Sequence, residues 1–77
     1  MPTIERFHNF KITMYFDDHG VAHFHIITPE MAAKVTIESL EVIAGEVPPK
    51  ILKEATEWAK ERNNRKLLRE KWKEFSG

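Results

Sequence analysis

Hydrophobic and polar residues alternate along much of the first half of the chain. Over residues 10–17, and again over residues 23–26, every second residue is apolar. Successive side chains of a β-strand point to opposite faces, so each segment predicts a strand with one buried face. The same pattern predicts a third strand over residues 32–38, and residues 40–44 add a short fourth.

After Gly45 the hydrophobic period becomes that of an α-helix. The apolar positions that define it are Ile51, Leu52, Ala55, Trp58 and Ala59. The phase of this stripe slips at Asn63 and Asn64, which predicts two helices, at about 49–62 and 65–75. Asn63 is expected to end the first helix in a left-handed conformation, and Asn64 is expected to cap the second.

These elements predict an α+β fold. We expect a small antiparallel β-sheet of three to four strands, followed by two C-terminal helices packed on one face of the sheet, the apolar one. A chain of 77 residues supports a single hydrophobic core. The prediction is therefore one domain over 1–77, strand-rich over 1–45 and helical over 46–77.

Charge is balanced overall but unevenly distributed. Twelve basic and twelve acidic residues cancel, while residues 1–45 carry a net charge of −3 and residues 46–77 a net charge of +3. A basic terminal helix is typical of either a nucleic-acid contact or a solvated surface. The absence of cysteine, of a long apolar run and of a signal-peptide pattern leads us to expect a cytoplasmic protein without membrane contact.

Three histidines, His19, His23 and His25, lie within a stretch of seven residues. His23 and His25 are two apart on a predicted strand, so both side chains point to the same, outer face. Pairing with the preceding strand brings Tyr15 beside them in either of two registers. Thr13 lies opposite His25 in one register, and Tyr15 lies opposite His25 in the other.

Such a cluster suits three kinds of site. His23 and His25, with His19 or an aspartate of the preceding loop as the third ligand, can bind a divalent metal such as zinc. Two imidazoles can instead share acid–base work in RNA cleavage, with Tyr15 or Lys34 orienting a phosphate. A third interpretation is a binding surface of Tyr15, His19, His23, His25 and Lys34 for a protein or nucleic acid. These residues are equally compatible with an ordinary half-exposed sheet.

The chain also resembles a family of small, mostly bacterial proteins known as domain of unknown function 4160. The matching segments are Met1-Pro2-Thr3-Ile4, Arg6-Phe7, Met14-Tyr15-Phe16, Asp18-His19, His23-Phe24-His25, Gly45-Glu46-Val47-Pro48, Glu57-Trp58-Ala59 and Trp72. The family usually has two prolines where this chain has Val21-Ala22. Family members often neighbour small regulatory or toxin–antitoxin-like proteins, so the resemblance implies a protein partner. It implies no catalytic residue.

The function predicted from the sequence is binding of a protein partner or nucleic acid, as a regulatory or toxin–antitoxin-like component. The alternative is a small histidine-dependent hydrolase, similar to a ribonuclease, that uses His23 and His25 with or without a metal.

Overall fold

A five-stranded antiparallel sheet precedes two helices along the chain. A computed structural model describes residues 3–15 and 20–76. The elements are β1 (Thr3–Arg6), β2 (Lys11–Thr13), β3 (His23–Ile27), β4 (Ala32–Thr36), β5 (Val42–Glu46), α1 (Pro49–Lys60) and α2 (Arg62–Ser76). The strands lie in the sheet in their chain order, β1-β2-β3-β4-β5. The α+β prediction is confirmed, and the expected three to four strands become five.

The additional strand is β1, which pairs with β2 and forms one edge of the sheet. Its register shifts between Thr3 and Glu5, so this short strand has no regular alternation that the sequence could reveal. At the other edge, β5 starts later than the predicted 40–44 segment. Leu40 has a φ of 57° and its backbone N–H donates to the carbonyl of Thr36, so it belongs to the β4–β5 turn.

Strand pairing defines two faces of the sheet. Thr13 pairs with His25 between β2 and β3, which is one of the two registers that the hydrophobic pattern allows. His25 pairs in turn with Lys34, and His23 with Thr36. We call the face that carries Thr13, His23, His25, Lys34 and Thr36 the histidine face.

The opposite face of the sheet forms the hydrophobic core. Helix α1 contributes Ile51, Ala55 and Ala59, which are buried and spaced one turn apart along one side of the helix. The sheet and its loops supply the buried apolar residues of the first half: Phe10, Ile12, Met14, Phe24, Ile26, Ala33, Val35 and Ile37. The predicted helical stripe therefore packs where the strand pattern places the apolar face.

The junction between the helices is shorter than predicted. Helix α1 ends at Lys60, Glu61 is extended with a ψ of 136°, and α2 begins at Arg62. Leu40 is the one non-glycine residue with positive φ in the described part of the chain, so Asn63 does not adopt the expected left-handed conformation. Asn64 does cap a helix, but its side-chain amide donates to the carbonyl of Trp58 at 2.9 Å, at the end of α1.

Helix α2 covers one end of the sheet. Leu68 is fully buried in the core, Arg69 pairs with Glu38 just beyond β4, and the Trp72 ring lies 5.0 Å from the His23 ring. His23 begins β3 and its side chain belongs to the histidine face, so a residue of α2 contacts this face at the start of β3. The prediction that both helices pack on the apolar face did not include this contact.

Neither α1 nor α2, within the part of the chain that the structure describes, has the length and apolar character needed to cross a membrane.

Candidate recognition site

His23 and His25 are neighbours on β3, as their spacing predicts. The centroids of their rings are 5.1 Å apart. Strand pairing surrounds them with Thr13 on β2 and with Lys34 and Thr36 on β4. Tyr15 joins the group, because its ring meets that of His25 edge-on at a centroid distance of 4.4 Å. The structure thus brings together four of the predicted site residues: Tyr15, His23, His25 and Lys34.

Both imidazoles are buried, which corrects the expectation of an exposed pair. His23 is 5% exposed and His25 is 7% exposed. The Trp72 ring packs against His23, and the Tyr15 ring packs against His25. Alternation along a strand indicates which side chains share a face, but it does not reveal that a distant helix residue covers that face.

The His23 ring is held by a hydrogen bond to the loop before its strand. Its Nδ1 lies 2.7 Å from the carbonyl oxygen of Val21. A carbonyl only accepts, so the proton lies on Nδ1, and in the neutral ring Nε2 is the basic nitrogen. This contact fixes both the tautomer and the orientation of His23.

The predicted metal site depends on residues that the structure leaves undescribed. His19 lies outside the described residues, as do Asp17 and Asp18, the two carboxylates that precede it in the sequence. Over residues 3–15 and 20–76, no group of three or more histidine, aspartate or glutamate side chains is arranged to hold a metal ion. The described residues therefore offer His23 and His25 as a pair, and zinc ligation by all three histidines stays a prediction.

Lys34 is exposed and borders a small pocket on the histidine face. The pocket has a volume of about 140 Å³ and lies between β4 and β5, with its lining formed by His25, Ala32, Ala33, Lys34, Ala44 and Gly45. Gly45 has a φ of 71°, and a Cβ at this position would overlap the carbonyl oxygen of Ala32. Glycine is therefore required where the two strands approach closely.

The sequence predicted a strand close to β5, but it did not reveal that this strand is a fully exposed edge of the sheet. It is an edge strand, and all five of its residues are exposed. Two of them are large and apolar, Val42 at 41% and Ile43 at 47% exposure. In the pairing with β4, Val35 is opposite Val42 and Lys34 is opposite Ala44, so Ile43 is an unopposed bulge residue. The run Val42-Ile43-Ala44 between two glutamates was the available signal.

Comparison with known families matches residues 9–73 to the family described as domain of unknown function (DUF4160). The chain belongs to this family. The resemblance noted in the sequence is confirmed, and the family description assigns no activity. No match was found among curated proteins or among solved structures.

The basic helix α2 is partly engaged within the molecule. Arg69 makes two hydrogen bonds to the carboxylate of Glu38, at 2.6 and 2.7 Å. These bonds are the largest cause of a pKa of Glu38 that lies below its ordinary value of 4.5. Desolvation raises the pKa by a smaller amount, and the positive charges of Arg69 and Arg65 lower it further. Lys71 lies 3.5 Å from Glu74 and over the ring of Phe75. Part of the positive charge of α2 is therefore balanced by its own domain.

Proposed function

We propose that this domain is a protein-binding module that accepts an extended segment of a protein partner along the free edge of β5. In this proposal it acts in the cytoplasm as one component of a regulatory or toxin–antitoxin-like pair. The observation that carries the proposal is the exposure of the whole of β5, including Val42 and Ile43.

An edge strand presents unpaired backbone N–H and C=O groups, which a second extended chain can satisfy by adding a strand to the sheet. In β5, two large apolar side chains lie beside that edge, and burying them stabilises a complex by about 25 cal/mol per Å² of apolar surface. The bulge at Ile43 and the positive φ of Gly45 interrupt the regular ladder. Such irregularities oppose indiscriminate strand addition, so a partner must match the local shape.

Charge favours a protein over a nucleic acid at this edge. Glu41 precedes β5, Glu46 ends it, and both are exposed. These carboxylates repel phosphate groups and attract basic side chains on either side of an apolar centre. The occupant that fits is an extended protein segment that carries apolar residues near Val42 and Ile43 and a lysine or arginine near Glu41 or Glu46.

The ribonuclease alternative has less support. A general acid or base must come within hydrogen-bond reach of the group that it protonates or deprotonates. His23 and His25 are almost completely buried, and aromatic rings lie against both. The exposed apolar edge offers a partner direct access, whereas the imidazoles offer an RNA strand very little.

The proposal is tested by capture from cells that express the tagged parent, Ile43→Lys or Val21→Lys. Val21 is a matched control, because it is also apolar and 58% exposed but lies outside β5. We expect one protein to be retained by the parent and by Val21→Lys, and to be lost from Ile43→Lys. In the purified complex, that protein should slow hydrogen exchange of the amides of β5.

Retention of the same protein by Ile43→Lys, or unchanged exchange along β5 in the complex, would contradict the proposal. A captured component that disappears on ribonuclease treatment would instead identify nucleic acid as the partner.

A further inference from the structure

We propose that the pocket between β4 and β5 receives one acidic side chain of the added strand, and that Lys34 pairs with its carboxylate. This inference rests on the proposed function, because it assigns chemistry to a segment already paired with β5. It specifies which residue of that segment determines recognition.

The position of this side chain follows from the register of the sheet. On the histidine face, a row of directly paired residues runs from Thr13 through His25 and Lys34 to Ala44. A strand added to β5 extends the row by one residue, which lies opposite Ala44. Directly opposed residues have Cβ atoms about 4.5–5.5 Å apart, so this residue lies over the edge of the pocket.

Small residues leave room for the side chain. Ala32, Ala44 and Gly45 line the pocket without filling it. Its volume of about 140 Å³ is several times the roughly 30 Å³ that one water molecule occupies in the liquid. A short polar side chain can therefore enter from the added strand without displacing the walls.

Charge determines which short side chain fits. Lys34 makes no ion pair with any residue in the described ranges, so its ammonium group can turn toward a ligand. His25 forms another wall of the pocket and adds no negative charge. An aspartate or glutamate opposite Ala44 gains an attractive contact with Lys34, whereas a lysine at the same place is repelled.

Glu46 extends this pattern to a second position. Glu46 pairs with Ala32, two residues along β5 from Ala44 and on the same face. Its carboxylate favours a basic residue in the added strand at the position opposite Glu46. The recognised segment therefore carries an acidic and a basic residue, two positions apart, among apolar residues.

A strand added antiparallel to β5, like the other strand pairs of this sheet, places the residue opposite Glu46 two positions before the residue opposite Ala44. The experiment therefore uses two synthetic peptides, acetyl-Thr-Val-Lys-Val-Glu-Val-Thr-Val-Thr-amide and the same peptide with glutamine in place of glutamate. Binding is followed through NMR shifts of the β5 amides. We expect the parent to bind the glutamate peptide about tenfold more tightly, equivalent to about 1.4 kcal/mol. Lys34→Glu should abolish or reverse this preference. Lys11→Glu, the same charge change on the same face but on β2, should retain it.

A preference for glutamate that survives in Lys34→Glu would overturn the inference. So would equal binding of the two peptides, or binding of neither. In each of these cases the proposed function stands if the cellular partner still depends on Ile43. If the partner is indifferent to Ile43→Lys, the proposed function fails, whatever the peptides do.

Discussion

Different contacts hold the two imidazoles of the histidine face. The His23 ring donates a hydrogen bond to Val21 and packs against Trp72. The His25 ring packs between His23 and the edge-on ring of Tyr15. Buried aromatic contacts of this kind stabilise a fold through apolar burial and ring geometry together. Both histidines therefore support the fold, whatever further role they have in binding.

His25→Ala should lower the free energy of unfolding by about 2–4 kcal/mol, because it leaves a cavity beside Tyr15 and His23. Lys34→Ala is the matched control, since Lys34 is directly paired with His25 but exposed. That variant should stay within about 0.5 kcal/mol of the parent. Urea unfolding of the three proteins provides the measurement. A loss below about 0.5 kcal/mol for His25→Ala would mean that the ring is not packed as described.

The sequence predicted which residues of the site are neighbours, but it did not predict that the two histidines are buried. Strand periodicity is local, so it correctly placed His23 and His25 side by side and Thr13 or Tyr15 next to them. The burial of His23 depends on Trp72, a residue of α2 that is distant in the sequence and packs on His23 in the folded domain. No local pattern contains that information.

Among the elements, the helix junction depends on one side chain. Asn64 lies in the first turn of α2, and its amide donates both to the carbonyl of Trp58 and to the carboxylate of Glu61. The Trp58 carbonyl also accepts a hydrogen bond of 3.3 Å from the backbone N–H of Glu61, so Asn64 adds a second and shorter hydrogen bond to a carbonyl in the last turn of α1. The slip in hydrophobic phase at Asn63 and Asn64 revealed the junction, but not which helix the asparagine would cap.

Asn64→Ala should lower the free energy of unfolding by about 1 kcal/mol, the usual effect of losing a capping hydrogen bond. Asn63→Ala is the control, because Asn63 is exposed in the same turn. Thermal or urea unfolding followed by circular dichroism would compare the two. Equal effects of the two substitutions would show that the bond to Trp58 contributes nothing specific.

The ion pair between Glu38 and Arg69 joins the β4–β5 turn to α2. Its hydrogen bonds hold the pKa of Glu38 below 4.5, so the folded state favours the ionised carboxylate. Its contribution to stability is therefore complete above the pKa of the unfolded chain, and is lost as pH falls through the lower pKa of the folded state. Both side chains are more than half exposed, so this contribution is small.

In an NMR titration, the Glu38 carboxyl should have a midpoint below 4.5 in the parent and should move up toward 4.5 in Arg69→Gln. Arg62→Gln, an exposed arginine of the same helix, should leave the midpoint where it is in the parent. An unchanged midpoint in Arg69→Gln would mean that the two side chains do not pair in solution.

At the scale of the whole molecule, α2 is the element that contacts both the hydrophobic core and the histidine face. Its Leu68 is fully buried in the core, and its Trp72 packs both against the core and against His23 of the histidine face. The sequence predicted the fold class and the order of strands and helices, because these depend on local periodicity. It could not predict that Trp72 contacts His23, because these residues are far apart in the sequence and meet only through tertiary packing.

Because α2 contributes Leu68 to the core and Trp72 to the packing of His23, it should not separate from the domain before the domain unfolds. The chain has two tryptophans, so Trp58→Phe leaves Trp72 as the single fluorescent reporter of α2. We expect its thermal transition to coincide with the loss of far-ultraviolet circular dichroism, as in a two-state domain. Trp72→Phe, which leaves Trp58 on α1, should give the same coincidence.

If the Trp72 transition alone came about 5 °C earlier, equivalent to about 1 kcal/mol in a domain of this size, α2 would be a separately docked element. The histidine face would then open without unfolding of the core, because Trp72 would leave His23 while the core residues of the sheet and α1 stayed in place.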